Sequence, residues 1–472
     1  MKRTTRRTFL TAAAATAVTP LTAWAWPRRR RQDTKDRIRI GVIGVRGRGR
    51  AHIGGFKNSP DAEVVAICDA DEGVIGPAMK SVPEARYYRD LRELLDDPSI
   101  DAVSIATPNH WHSLAAIWAL EAGKHVYVEK PISHNVFEGR QLVQAARRSG
   151  KILQHGTQAR SQPATREAMA FLHAGGLGEV KVAHGLCYKP RASIGQVDGP
   201  QAPPSTCDYG LWTGPAEMQP LSRKNLHYDW HWVFNTGNGD LGNQGAHQAD
   251  IARWGLGLTA HPERVISCGG RLGYADDGDT PNTLVTLLDY GDRQIVFEVR
   301  GLKTAPFHGA GIGVVFFGER GTLVSGSYNK VHAYDRDGKV IEVFEGGADH
   351  FQNVLDAIRA GDPKLLNAPV EEGHLSAVIC HLGNISYRLG EEQPLGQVER
   401  PFGDSTAAHE TFQRFGEHLA ENGIDTKQCR IHRGPELIFD PASERFTGPR
   451  SEEANRLLSR EYREPFVVPE LT

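Results

Sequence analysis

The chain has 472 residues, 39% of them hydrophobic and 24% charged, and its 55 basic and 57 acidic side chains give a formal charge of −2. That length calls for two or three domains, and the balanced charge leaves no electrostatic footprint for nucleic acid or an anionic membrane surface. Its six cysteines show no CxxC spacing, which removes the common zinc and dithiol motifs.

The first segment reads as an address. Thr5-Arg6-Arg7-Thr8-Phe9-Leu10 precedes an Ala-rich apolar run from Thr11 to Trp26, and Ala23-Trp24-Ala25 has a small-x-small cleavage pattern. This predicts a twin-arginine export signal over residues 1–25, a basic linker over 26–36 and a periplasmic location. An uncleaved anchor or a basic tail stays open as the alternative. No later stretch has ~18 continuous apolar residues, so no stable membrane insertion is expected after export. The twin-arginine route carries folded proteins, which suits one that loads a cytoplasmic cofactor before leaving.

An alternation of strands and helices follows. Arg37–Ile43, Glu63–Cys68, Ala102–Ala106, His125–Glu129 and Lys151–His155 predict five strands. Apolar spacing at Leu114, Ile117 and Trp118 predicts a helix over Ser113–Ala122 stopped by Gly123, and a second helix spans Val136–Ser149 before Gly150. Such alternation argues a Rossmann-like, doubly wound parallel sheet over residues 37–158.

The turn after the first strand carries Gly44, Arg46, Gly47 and Gly49. Gly44 and Gly49 take the first and third places of a dinucleotide fingerprint, while Arg46 stands at the second with Gly47 beside it. Asp69 ends the second strand, 25 residues after Gly44. A carboxylate there accepts ribose hydroxyls and repels a 2′-phosphate, which favours NAD, while Arg46, Arg48 and Arg50 leave NADP open. Ligands of such sheets lie beyond the C-terminal strand ends. The cofactor contacts predicted there are Thr107, Asn109, His112, Glu129 and Gln158, with Gly44, Arg46, Gly47, Gly49 and Asp69. Lys130, set between Glu129 and Pro131, is placed to polarise a substrate hydroxyl. A Glu129 salt bridge is its bland alternative, and His110 and His112 read equally well as packing residues.

The second half changes character. Gly178–Cys187, Arg264–Cys268, Asn282–Leu288, Gln294–Leu302, Gly311–Phe317 and Lys330–Tyr334 are strand-like, with hairpin turns at Tyr290–Arg293 and Asp335–Gly338. Few helices separate them, so an α+β domain with a large open antiparallel sheet is expected over residues 159–400. Between its first strands lies an irregular stretch, Tyr188–Asn238, with Lys189, Arg191, Tyr209, Trp212, Tyr228, Trp230, His231 and Trp232. Rings mixed with donors suit a carbohydrate, or a Trp-rich subdomain core. His227 and His231 lack a carboxylate at matching spacing, so no metal site is predicted. Asp276–Asp279 reads as a surface turn. His247, Asp250 and Trp254 share one helical face. Helices are expected over His350–Ala360, Glu371–Leu389 and Ala407–Asn422; the last lies in an extension over 401–472 that ends in a further segment, Ser451–Tyr462, and shows no evident chemistry.

Together the glycine turn, Asp69, Thr107-Pro108-Asn109, Glu129-Lys130-Pro131 and the segment Gly239–Asp250 give a specific pattern. On it, residues 37 to about 400 resemble the glucose–fructose oxidoreductase/inositol dehydrogenase (Gfo/Idh/MocA) family. The resemblance implies that Lys130 is the catalytic lysine and His247 the acid/base. It implies a substrate pocket on one face of the antiparallel sheet and often an oligomer contact on the other; beside it, Lys189, Arg191, Trp230, Asn243 and Asp250 are the expected substrate contacts and a homo-oligomer is expected. Members often carry an aspartate where this chain has Asn243; an amide orients an imidazole without stabilising its cation. The implied activity is NAD(P)-dependent oxidation of a CH–OH group in a sugar, sugar derivative or cyclic polyol, with a tightly bound nucleotide because no free pool exists outside the cytoplasm. Two alternatives stand beside it: an NAD-dependent glycoside hydrolase using transient redox chemistry, and a non-catalytic sugar- or nucleotide-binding protein.

Overall fold

The computed structural model describes residues 36–471, so the predicted signal and nearly all of the basic linker lie outside the described residues. Six strands, β1 (Ile38–Ile43), β2 (Ala62–Cys68), β3 (Arg86–Tyr88), β4 (Ala102–Ile105), β5 (His125–Val128) and β6 (Leu153–His155), form a sheet in the order β3-β2-β1-β4-β5-β6. Every pairing is parallel. The helices α1 (Arg48–Asn58), α2 (Gly76–Ser81), α3 (Leu91–Asp96), α4 (His112–Glu121) and α5 (Val136–Ser149) connect the strands. Helices on both faces explain why β1, β4 and β5 read as apolar runs without alternation. The strand order reverses between β1 and β4, which opens a crevice at their C-terminal ends. β3 escaped the sequence reading because it is three residues long and starts on exposed Arg86.

Beyond β6 come α6 (Pro163–His173), β7 (Val180–Tyr188), α7 (Tyr209–Thr213), α8 (Leu226–Asp229), α9 (Gly239–Gly242) and α10 (Gly245–Gly255). Then follow β8 (Arg264–Gly270), β9 (Thr283–Asp289), β10 (Gln294–Arg300), β11 (Ile312–Gly318), β12 (Gly321–Ser327), β13 (Lys330–Asp335) and β14 (Val340–Glu345). The chain ends with α11 (His350–Ala360), α12 (Val370–Arg388), β15 (Glu391–Pro394), α13 (Thr406–Glu421), β16 (Arg430–Arg433), β17 (Leu437–Asp440), β18 (Arg445–Thr447) and α14 (Ser451–Arg456).

The second sheet has twelve strands, ordered β14-β13-β12-β11-β7-β10-β9-β8-β16-β15, with β17 and β18 off the β8 edge. It is antiparallel except for β7 beside β10. The long excursion after β7 returns through the β8–β9–β10 meander, and this delivers β10 alongside β7 in the same direction. Helices α10 and α12 cover the inner face, where Phe297, Phe316, Val378 and Leu382 are buried together. The residues after 400 do not form a separate extension. Strands β16–β18 join the sheet, and α13 packs Phe415 and Leu419 on Val285 and Val296 of its outer face. Within the last segment a short helix, α14, ends at Arg456. The chain then returns to the first domain, where Phe466 packs edge-on against Trp111. α11 also belongs to the first domain by packing: its Val354, Leu355 and Ala357 share a core with Ile40, Phe56 and Tyr127.

Candidate functional site

A cleft of about 690 Å³ opens between the C-terminal ends of β1, β4 and β5 and the second domain. The glycine turn forms its floor. A Cβ on Gly44 (φ +81) would stand 2.8 Å from the Ala106 carbonyl and the Thr107 nitrogen, and one on Gly49 would meet the Gly44 carbonyl oxygen at 1.9 Å. These two glycines therefore serve close packing, and Gly49 itself does not line the cleft. Gly47 (φ +51) has open space where a Cβ would project. The turn thus presents bare backbone to the cleft, which is what the approach of a pyrophosphate requires. The irregular second position, Arg46, is exposed and lines the cleft.

Asp69 also lines the cleft, with Oδ2 accepting from Val45 N at 3.1 Å and Oδ1 from Asp71 N at 3.1 Å. Burial pushes its pKa up against those two bonds. From the other side the irregular stretch closes over this end as a strap. Asp208 N donates to the Ala70 carbonyl at 2.9 Å. The Thr206 hydroxyl donates to Asp71 Oδ1 at 2.5 Å, and His227 Nε2 meets Asp71 Oδ2 at 2.7 Å. Leu211, Trp212, His227 and Tyr228 thereby line the same cleft as Asp69.

The strand-end motifs meet in the middle. Glu129 is 4% exposed, and its Oε1 accepts from Arg48 Nε at 2.7 Å, His52 Nε2 at 3.1 Å and Gln158 Nε2 at 3.1 Å. Burial works to raise this carboxyl's pKa, but the His52 bond and the Arg48 charge outweigh it and hold the pKa well below the carboxylate range. Lys130 does not bond to that carboxylate through its ammonium. Its Nζ donates to the Asn243 carbonyl and to Asn243 Oδ1, each at 3.0 Å. Burial draws the lysine pKa down, opposed by the Glu129 charge. His247, at the start of α10, is 8% exposed, and its Nδ1 has no partner. Burial and then the Lys130 charge lower its pKa to about 3, so the ring is neutral.

Several expectations need correction. Asp250 is fully buried away from the cleft, accepting from Arg160 Nε at 3.0 and 2.9 Å and from the Ser376 hydroxyl at 2.7 Å. It faces the α12 side of its helix, so it is structural. Asn243 lines the cleft but orients Lys130, not the imidazole of His247. His112 sits between the carbonyls of Pro131 (2.6 Å) and Thr107 (2.9 Å), holding two cleft-lining backbones in place. Asn109 Nδ2 donates to Asn238 Oδ1 at 3.0 Å. Thr107 and Gln158 line the cleft.

On the substrate side, Lys189 Nζ donates to Gln244 Oε1 at 3.2 Å. Arg191 forks onto Asp240 with bonds of 3.0 and 2.7 Å. Trp230 stacks on His231 with ring centroids 3.6 Å apart. All but Asp240 line the cleft. Tyr328, at the β12–β13 hairpin, is the residue sequence reasoning missed. Its ring lies 5.4 Å from that of His247, its hydroxyl is 3.3 Å from Gln248 Nε2, and burial pushes its pKa up to about 12. An aromatic tip after Ser325-Gly326-Ser327 was its one signal.

His227 and His231 do not converge, since His231 Nδ1 donates to the Tyr228 carbonyl. Among the described residues, His261, His374 and Glu444 bring ligand-type atoms within 4.8 Å of one another. Arg140 occupies the same carboxylate, with its Nη2 2.6 Å from Glu444 Oε1, and both imidazoles reach that oxygen through Nε2 at 2.7 and 2.8 Å. Filled by a guanidinium, the cluster is a hydrogen-bonded clasp between α5, α12 and the tail.

Residues 38–157 match the family model described as "Oxidoreductase family, NAD-binding Rossmann fold". Over 123 residues the chain is 41% identical to "Glycosyl hydrolase family 109 protein 1" of Shewanella sp. (strain ANA-3) and 38% identical to "Alpha-N-acetylgalactosaminidase" of Shewanella oneidensis. Each match covers 24% of this chain and 27% of the relative, so the chain spans about a quarter of the length of these relatives. The fold is similar to that of the WlbA dehydrogenase from Bordetella pertussis in complex with NADH and UDP-GlcNAcA, at a TM-score of 0.55 and 21% identity over 74% of this chain and 96% of that one. With its glycine turn, its Asp69 and this match, the N-terminal domain is an NAD-binding Rossmann domain, similar to that of the Gfo/Idh/MocA oxidoreductases.

Proposed function

We propose that the protein is an NAD-dependent oxidoreductase acting on a CH–OH carbon of a sugar, sugar derivative or cyclic polyol, with the nucleotide held as a resident group. The observation that carries this reading is the meeting of Lys130 and His247, from different domains, in one cleft that begins on the glycine turn. NAD supplies the hydride acceptor. The chain's own residues do the rest. Neutral His247 takes the hydroxyl proton at Nε2. The Lys130 ammonium, aimed by Asn243, stabilises the oxygen as charge develops on it. Lys189, Arg191 and Trp230 offer donors and a ring face to a polyhydroxylated ring. The Arg191 fork on Asp240 fixes this guanidinium at the cleft wall, where its Nη1 also donates to the Tyr228 hydroxyl at 3.1 Å.

A twin-arginine signal, if it acts as the sequence predicts, delivers the folded protein to the periplasm, where no NAD pool exists for exchange. The strap over Asp69 supports a nucleotide retained through export. The second reading is a redox-neutral glycoside hydrolase, in which oxidation at one ring carbon acidifies a neighbouring C–H and expels the aglycone. The glycosidase names of the Rossmann-domain relatives favour it. Purified protein is incubated with a panel of sugars and with nitrophenyl glycosides. A 340 nm absorbance that rises without nucleotide release supports the oxidoreductase, and nitrophenol release supports the hydrolase. Binding of a sugar with neither signal leaves the protein a binder and removes both enzymatic readings.

A further inference from the structure

Beside the strap lies a second cavity of about 630 Å³ that shares Arg46, Arg50 and His227 with the nucleotide cleft. Its charged wall is one-signed. Arg46 and Arg50 come from the glycine turn and α1, Arg223 and Lys224 come from the strap, and no carboxylate lines it.

Arg223 is the telling residue. Four arginines among the described residues are buried. Arg160 pairs with Asp250 and Glu372, Arg253 with Glu372, and Arg300 with Glu298. Arg223 is 5% exposed and has no ion pair; its Nε and Nη2 are sealed from solvent with no hydrogen-bond partner. The guanidinium lies over the Trp212 ring at 5.3 Å, which leaves its N–H groups unsatisfied. Asp229 attracts it, but that carboxylate accepts from Asn225 N at 3.0 Å and forms no bridge to it. A buried guanidinium stays protonated, so a charge kept without a partner is costly unless an anion completes it.

We propose that this cavity is an anion site that takes a phosphate monoester. The unpaired charge of Arg223 at the cavity wall, joined by Arg46, Arg50 and Lys224, matches a dianion with several acceptor oxygens. The phosphate has two sources. It is the 2′-phosphate of an NADP reaching over the shared Arg46 wall, or it belongs to a small molecule arriving from solution. The first source rests on the cleft holding a dinucleotide, as proposed above, but with NADP in place of NAD, and the second is independent of it.

The test uses the purified, nucleotide-loaded protein in chloride buffer, with Arg223→Gln and, because Arg50 is exposed and its replacement leaves the core intact, Arg50→Gln. The nucleotide released on denaturation is identified by mass, and inorganic phosphate is titrated by calorimetry. A wild type that carries NADP, with both variants shifted toward NAD, supports the 2′-phosphate source. A wild type that carries NAD and binds phosphate saturably, with affinity at least tenfold weaker in the variants, supports the free source. An unchanged nucleotide, together with phosphate binding that is absent or equal in wild type and variants, overturns the proposal. Sugar turnover is not read, so its absence leaves this result unaffected.

Discussion

Lys130 Nζ donates to two oxygens of one residue, the backbone carbonyl and the side-chain Oδ1 of Asn243, each at 3.0 Å. The ammonium is therefore aimed by a neutral group, which leaves its charge unpaired by that partner. Lys130→Ala should lower turnover by about 10³-fold while leaving nucleotide content unchanged. Asn243→Asp should raise the lysine pKa and reduce kcat about tenfold, because a carboxylate competes with the developing alkoxide. Wild-type turnover in Lys130→Ala, measured beside nucleotide content, removes Lys130 from the mechanism.

His247 is neutral above about pH 3. Its basic form is thus already complete throughout the working range, and initial rates should hold level from pH 8 to pH 5. Lys130 must carry its proton, and its pKa is drawn below the ordinary lysine value by burial. The rate should therefore fall on the alkaline side, and that limb should move to higher pH in any Lys130→Arg variant that retains activity. A limb near 6.5 in the kcat/KM profile would count against His247 as the base.

Stability should respond to acid in the opposite way. Burial lowers His110, His155 and His381 to about 3 and His350 to about 4. Unfolded, each takes up a proton near pH 6.5. Between about pH 6.5 and those lowered values the unfolded state binds more protons, so stability falls as pH drops, by up to about 1.4 kcal/mol per unit for each ring. Thermal unfolding followed from pH 7.5 to pH 5 checks this, and a Tm that stays constant over the range contradicts it.

The clasp on Glu444 predicts a position-specific effect. Its carboxyl is held far below its ordinary range because bonds from His261, His374 and Arg140 outweigh the burial that would raise it. Glu444→Gln removes the charge and leaves Arg140 in part unpaired, which should cost about 2–3 kcal/mol. Denaturant midpoints of the two proteins measure it; equal midpoints show that the clasp contributes nothing.

Asp71 pins the strap through Thr206 and His227. Asp71→Ala should let the nucleotide escape about tenfold faster, read as nucleotide remaining after repeated gel filtration. Equal retention assigns the hold to the cleft itself.

Much of the first domain was legible because its strands are continuous apolar runs and its turns end on glycines. Gly123 and Gly150 both adopt positive φ at the predicted helix ends. β12 and β14 were not legible. β12 reads Gly-Thr-Leu-Val-Ser-Gly-Ser, and β14 is an edge strand with one buried residue, so neither shows a clean period of two. In the site, Lys130 and His247 stood out because each lies within a compact motif. Tyr328 did not, since it joins the cleft only after a hairpin folds back. Asp250 misled because helical spacing placed it near His247, and the side it faces was decided by Arg160, a residue 90 positions away.

The packing of α11 on the first sheet has a consequence for how the chain is assembled. β6 ends at His155, and α11 begins at His350, roughly 200 residues later. Phe351 supplies the ring against which Phe56 and Tyr127 pack, with centroids 5.0 Å from each. As the chain leaves the ribosome, the nucleotide domain must therefore wait, one face uncovered, until the second domain has been made. A fragment ending at residue 158 should emerge as an incomplete sheet exposing those rings.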